Sequence, residues 1–171
     1  ISGQKGRNME KTLILYEGKY GHSEKTAKIL QESLPDARCL PASEAPERLD
    51  DVTNLLLVFG FLAYDTAQVL KPYLKAHQEE LKDKFIGVVG VGLAKQALPA
   101  FLKIIQEPMG READGSWFVM GGYRIEQLTP EDKELLEEFW GKRGVPLTYQ
   151  LHFQEENVRC IAEEIRKKLE L

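Results

Sequence analysis

The stretch LILYEGKYGHSEKTAKIL, Leu13 to Leu30, decides the fold. An apolar run ends at Tyr16 and gives way to a short segment holding two glycines. Beyond Ser23, apolar residues recur at Ala27, Leu30 and Leu34, the spacing of one helix face. The reading is a buried strand, a tight bend and a helix. Gly18 and Gly21 let the backbone turn sharply and come close to a ligand. Ser23 can cap the helix or donate its hydroxyl to a phosphate. Lys19 adds positive charge and His22 a possible donor. Loop amides and a helix N-terminus attract anions, so the bend from Glu17 to Ser23 is a candidate phosphate loop. A plain strand-to-helix turn accounts for the same residues equally well.

Outward from this unit the pattern repeats. KTLILY (11–16), NLLLVF (54–59), FIGVVGV (85–91) and SWFVMG (116–121) are short apolar runs, and ARCL (37–40) is a weaker one. Their apolar residues are consecutive, which suits strands covered on both faces of a parallel sheet. Between them lie helical patterns at 68–81, with Leu70, Tyr73, Leu74 and Leu81, and at 97–106, with Pro99 early. A C-terminal helix carries Val158, Ile161, Ala162, Ile165 and Leu169. Alternation of strand and helix predicts an α/β fold with right-handed crossovers, a doubly wound five-stranded parallel sheet in the order 2-1-3-4-5. Ligands of such sheets bind beyond the carboxyl ends of the strands, where strand order reverses. The loop after the first strand lies there.

The chain of 171 residues fits one domain. Residues 1–8 precede Met9 without periodicity and read as an expression scar. Setting aside their Lys5 and Arg7 leaves a chain more acidic than the overall charge of -4. That balance argues against nucleic acid as main partner, which needs clustered cations. No run approaches the ~20 apolar residues that span a bilayer, and no signal peptide is visible. Cys39 and Cys160 lack ligand spacing, so free buried thiols in a cytoplasmic protein are expected. His77 and His152 have no partner at metal-ligand spacing, and no metal is expected. There is no GxxxxGK[ST]. GVGLAK (90–95) lacks the third glycine of a dinucleotide fingerprint. A phospho-receiver needs an Asp ending the third strand, where VFGF stands. A serine hydrolase needs GxSxG, which does not occur.

KTLILYEGKYGHSEKTAKIL, with later strands at this spacing, resembles the flavodoxin-like superfamily. It is closest to the flavodoxin-domain group that includes bacterial menaquinone-dependent protoporphyrinogen oxidase. The likeness covers nearly all of the chain from Met9. It includes GGYRIEQLTPEDKELLEEFWGKRGVPLTYQLHF (121–153), because that group also carries a long insertion after its fifth strand. The resemblance implies FMN as cofactor and a flavoprotein working in electron transfer or as an oxidoreductase. Carried over by position, Gly18, Lys19, Tyr20, Gly21, His22 and Ser23 hold the phosphate. Phe61, Leu62, Ala63 and Tyr64 form one ring loop, with Tyr64 the candidate to stack on isoalloxazine. Val91, Gly92, Leu93 and Ala94 form the second. Asp65 closes the first ring loop or caps the next helix. No catalytic residue is assigned.

Flavodoxins usually line the phosphate loop with three hydroxyl residues. Here Glu17 and Gly18 stand at two of those places. Two unit charges ~4 Å apart repel by about 4 kcal/mol at an effective dielectric of 20. Glu17 must therefore point away, pair with Lys19 or Lys25, or exclude the phosphate. A flavodoxin-fold binding module without FMN is the alternative.

The insertion, 122–152, has a helix start at Thr129 and Pro130, followed by Glu131 and Asp132 near the positive dipole end. Gly141 is a plausible stop, and VPLTYQLHF (145–153) alternates like an edge strand. Leu135, Leu136, Phe139 and Trp140 form an apolar stripe expected to pack on the sheet edge or on a second copy in a homodimer. Glutamates cover the remaining faces. A helix resting on anionic lipid should be basic, so membrane docking and porphyrin oxidation are disfavoured. The expected partner is a redox protein or a small-molecule acceptor. Trp117 and Phe118 are expected in the core. Arg111, Arg124 and Arg143 could meet a carboxylate or serve only as solvated surface.

Overall fold

Side chains alternate across a strand, so an apolar run without polar gaps needs cover on both faces. The computed structural model, which describes residues 11–60, 66–123, 125–144, 146–147, 150–151 and 153–171, supplies that cover. Strands β1 (Thr12–Glu17), β2 (Ala37–Pro41), β3 (Asn54–Gly60), β4 (Phe85–Gly92) and β5 (Gly115–Met120) form one parallel sheet in the order β2-β1-β3-β4-β5. The helices are α1 (His22–Ser33), α2 (Leu70–Ala76), α3 (Gln78–Leu81), α4 (Leu98–Met109), α5 (Pro130–Gly141) and α6 (Glu155–Leu169).

Each apolar run divides residue by residue between two cores. Leu13, Leu15, Leu55, Leu57, Ile86 and Val88 pack with Leu70 and Leu74 of α2 and with Phe101, Ile105 and Met109 of α4. Ile14, Leu56, Val58 and Val89 pack on the opposite face with Ala27 and Leu30 of α1 and with Val158, Ile161 and Ile165 of α6. Full burial of one such side chain is worth about 1.5–3 kcal/mol. The glycines of β4 belong to this packing. A Cβ at Gly90 would lie 2.8 Å from a ring carbon of Phe101. The Phe101 ring therefore lies against bare backbone and meets Phe59 edge-on, with centroids 5.6 Å apart.

The structure departs from expectation in several places. Helix α1 starts at His22, with Gly21 as its left-handed N-cap at φ 89, so Ser23 lies in the first turn and is not the cap. The helix expected over 68–81 is broken at His77. There the ring stacks on Tyr73 at 4.0 Å, and its Nε2 lies 2.9 Å from the Glu47 carbonyl. His77 is thus structural. Helix α4 runs past 106 to Met109, and Gly110 at φ 73 ends it.

In the insertion, Thr129 caps α5 by accepting from the Asp132 amide at 3.2 Å. Gly141 is the last helical residue, and the turn comes later, at Gly144 with φ 72. The expected edge strand is reduced, among the described residues, to β7 (Gln150–Leu151). It pairs antiparallel with β6 (Gly122–Tyr123) in a separate two-stranded ribbon. Because β6 begins just past the end of β5, the ribbon extends beyond the main sheet and does not widen it. Strand β5 is therefore an edge, and Trp117 and Phe118 are only partly buried.

Arg111 donates to the carbonyls of Leu81 and Lys84 at 2.8 and 3.0 Å and pairs with Asp114 at 2.7 Å, which is a structural role. Arg143 lies over the Phe139 ring, 3.7 Å from its centroid. Arg124 and His152 lie outside the described residues. Both thiols are free, but Cys39 is half-buried and Cys160 is exposed on the outer face of α6. No helix among the described residues is long and apolar enough to cross a membrane.

Candidate functional site

Strand β1 lies between β2 and β3, and its crossovers leave in opposite directions. At the carboxyl ends of β1, β3 and β4 the diverging loops leave a cavity of about 520 Å³. Gly18, Lys19, Tyr20, His22 and Ser23 line one side, and Val91, Gly92 and Leu93 another. Two expected residues, Gly21 and Ala94, are not among its walls. Phe61, Leu62, Ala63, Tyr64 and Asp65 lie outside the described residues.

A left-handed glycine begins α1, and among the described residues no side chain caps the helix, which leaves the amides of its first turn without a side-chain acceptor there. Ser23 is only 2% exposed, lines the cavity, and its hydroxyl has no hydrogen-bond partner among the described residues. Gly18 makes room for it. A Cβ there would lie 2.5 Å from the Ser23 Oγ and 2.7 Å from its Cβ. A hydroxyl residue at 18 would thus collide with the one at 23.

Of the three courses expected of it Glu17 takes the first in part: the residue lines the cavity, but its carboxylate is turned to the start of α2. Its carboxylate accepts from the amides of Val69 and Leu70, at 3.0 and 2.9 Å, at the start of α2. It pairs with neither Lys19 nor Lys25. Thr66 donates to the Gly60 carbonyl.

The opposite wall comes from the insertion. Glu131, Asp132 and Leu135 of α5 line the cavity, with Gly121 and Gly122. Asp132 is 4% exposed and accepts from both Tyr20 Oη and Lys19 Nζ, the latter at 2.7 Å. The Thr129 amide donates to Tyr20 Oη at 3.3 Å. Burial would raise the Asp132 carboxyl, but the hydrogen bonds from Lys19 and Tyr20 outweigh it and hold the group below its usual value. The same bond to Asp132 raises Lys19. The pair is therefore ionised at neutral pH. Burial, with Lys25 nearby, lowers His22, so it presents a neutral ring to the cavity. That ring also lies 5.3 Å from Phe153.

Asp132 was missed in the sequence because an acidic residue in a first helical turn ordinarily answers the helix dipole. Its burial depends on a contact 112 positions away in the chain. Gly60, Thr66, Ala67 and Gln68 were missed for a similar reason, since they flank a segment judged by its aromatic residues.

A doubly wound sheet in this order, with a cavity at its switch point, defines a flavodoxin-like α/β fold. Solved structures agree. The Streptococcus pneumonia TIGR4 flavodoxin superposes with a TM-score of 0.58 at 15% identity, covering 92% of this chain and 98% of that one. A Fusobacterium nucleatum flavodoxin bound to flavin mononucleotide gives 0.55 at 12% identity, with the same coverage of 92% and 98%. The rubredoxin oxygen:oxidoreductase of Desulfovibrio gigas gives 0.53 at 15% identity over 98% of this chain, which spans 39% of that longer protein. At these identities the likeness is one of fold. It does not reach the narrower protoporphyrinogen oxidase group. No protein-family model matches the chain, nor does any curated protein.

Proposed function

We propose that the chain binds FMN in this cavity and works as a flavodoxin-like redox protein, exchanging electrons with a partner protein or a small-molecule acceptor. The carrying observation is the Ser23 hydroxyl, on the cavity wall in the first turn of α1 and with no hydrogen-bond partner among the described residues. A phosphate monoester has the acceptors to take its proton. The cavity volume lies within the ~300–1,000 Å³ usual for small-molecule sites. The Glu17 carboxylate, though on the cavity wall, is engaged by the α2 amides, which lessens its repulsion of an anion there.

In this reading the loop at 18–23 takes the phosphate through the first amides of α1 and the Ser23 hydroxyl. Val91, Gly92 and Leu93 border the ring, and Tyr64 is the residue proposed to stack on it. The flavin, when bound, supplies the one- and two-electron chemistry. The protein supplies position and an acidic border, Glu131 and Asp132, that disfavours added negative charge on the ring. The narrower likeness to protoporphyrinogen oxidases rests on the insertion, and the exposed glutamates of α5 argue against the lipid contact such a role requires.

The test is direct. Micromolar FMN should lose fluorescence on adding the protein, and the melting temperature should rise. If excess FMN changes neither, the reading fails. The fold would then serve as a binding module without flavin, a role that the same acidic border favours.

A further inference from the structure

Helix α5 meets the phosphate loop through one carboxylate. Asp132 is buried at the cavity wall and holds the loop's lysine, Lys19, at 2.7 Å, together with the Tyr20 hydroxyl. Lys19 is also the only lysine or arginine among the described residues lining the cavity, whereas Glu17, Glu131 and Asp132 are acidic. An anion entering the loop therefore meets neutral donors, the α1 amides and the Ser23 hydroxyl, next to a lysine already engaged by Asp132.

We propose that Asp132 sets how tightly the loop at 18–23 takes a phosphate monoester, by keeping Lys19 from the anion and by placing its own negative charge at the wall. For FMN this rests on the function proposed above; for phosphate monoesters as a class it rests on the loop alone. The insertion is then an affinity brake on the site that it borders. A cofactor held this way binds through dipoles that salt screens little, whereas a freed lysine adds a charge-assisted hydrogen bond that salt weakens.

The experiment compares FMN and riboflavin binding, followed by flavin fluorescence at low and high sodium chloride, for the full chain and for Asp132→Asn. The amide keeps the shape of the carboxylate and can still accept from Tyr20, and circular dichroism checks the fold. Asp132→Asn should bind FMN about tenfold more tightly at low salt and riboflavin within about twofold of the original. The double variant Lys19→Met with Asp132→Asn should return most of the gain. The unaltered chain should show little salt dependence, a measurement that holds even if Asp132→Asn misfolds. Unchanged or weaker FMN binding by Asp132→Asn overturns the proposal. So does a steep salt dependence in the unaltered chain, because Lys19 would then already reach the phosphate. If neither protein binds either flavin, the FMN reading fails by itself. Inorganic phosphate, followed by phosphorus NMR line width, then decides. Tighter phosphate binding by Asp132→Asn upholds the brake, and equal binding overturns it.

Discussion

The Ser23 hydroxyl makes no bond within the described protein, so deleting it should harm the ligand and spare the fold. Ser23→Ala is expected to weaken FMN by about tenfold, to leave riboflavin unchanged, and to move stability by less than ~0.5 kcal/mol. Flavin titration beside thermal melting checks both halves. Gly18 gives the opposite pattern. In Gly18→Ala the new Cβ would lie 2.5 Å from the Ser23 Oγ, so Ser23 or the loop must shift. Overpacking of this kind costs about 1–3 kcal/mol, and urea unfolding should show it together with lost FMN affinity. The glycines and the serine were legible in the sequence as a bend that could hold an anion. Their mutual fit was not, because it depends on two side chains sharing one space. The destination of Glu17 was equally hidden, since its acceptor role is met by amides 52 and 53 positions further on.

At the scale of elements, helix α5 is joined to the loop after β1 by an ionised pair, and its docking should follow the protonation of that pair. Asp132 is held below its unfolded value, so its contribution is complete above that value and fades as pH falls through the folded one. Lys19 is raised, so its share is complete below its unfolded value and is lost as pH climbs through the folded one. The stability difference between the original chain and Asp132→Asn should be flat from about pH 5 to 9 and should narrow below the ordinary carboxylate range. Denaturant melts across pH measure it. The start of α5 was readable from Thr129 and Pro130, because capping is a local matter. Its burial against the loop is tertiary and leaves no periodic trace. The break between α2 and α3 was hidden likewise, since the Glu47 carbonyl that His77 meets comes from another part of the chain.

The whole molecule is the level at which the sequence spoke most plainly. Runs such as Leu55, Leu56 and Leu57 have no polar gaps because each residue serves one core or the other in turn. That pattern marked the strands, and the order β2-β1-β3-β4-β5 is the common solution for five of them. Leu56→Ala should therefore cost about 2–5 kcal/mol in chemical denaturation, although Leu56 does not line the cavity. FMN at about a hundred times its dissociation constant should add ~2.7 kcal/mol of stability. In a domain of this size that corresponds to a rise of roughly 5–10 °C in melting temperature, which differential scanning should detect. What length and pattern could not convey was the placement of the ribbon, which depends on where β5 ends.

One fastening near the cavity has a practical sequel. Thr66 ties itself back to the Gly60 carbonyl, and Glu17 grips the backbone at Val69 and Leu70. Neither fastening draws on positions 61–65. Exchanging those five positions for foreign pentapeptides should therefore hold the melting temperature within a few degrees. Under the proposed flavin reading the same exchange should retune the colour of bound FMN, which would make this scaffold a host for libraries varied at a single short insert.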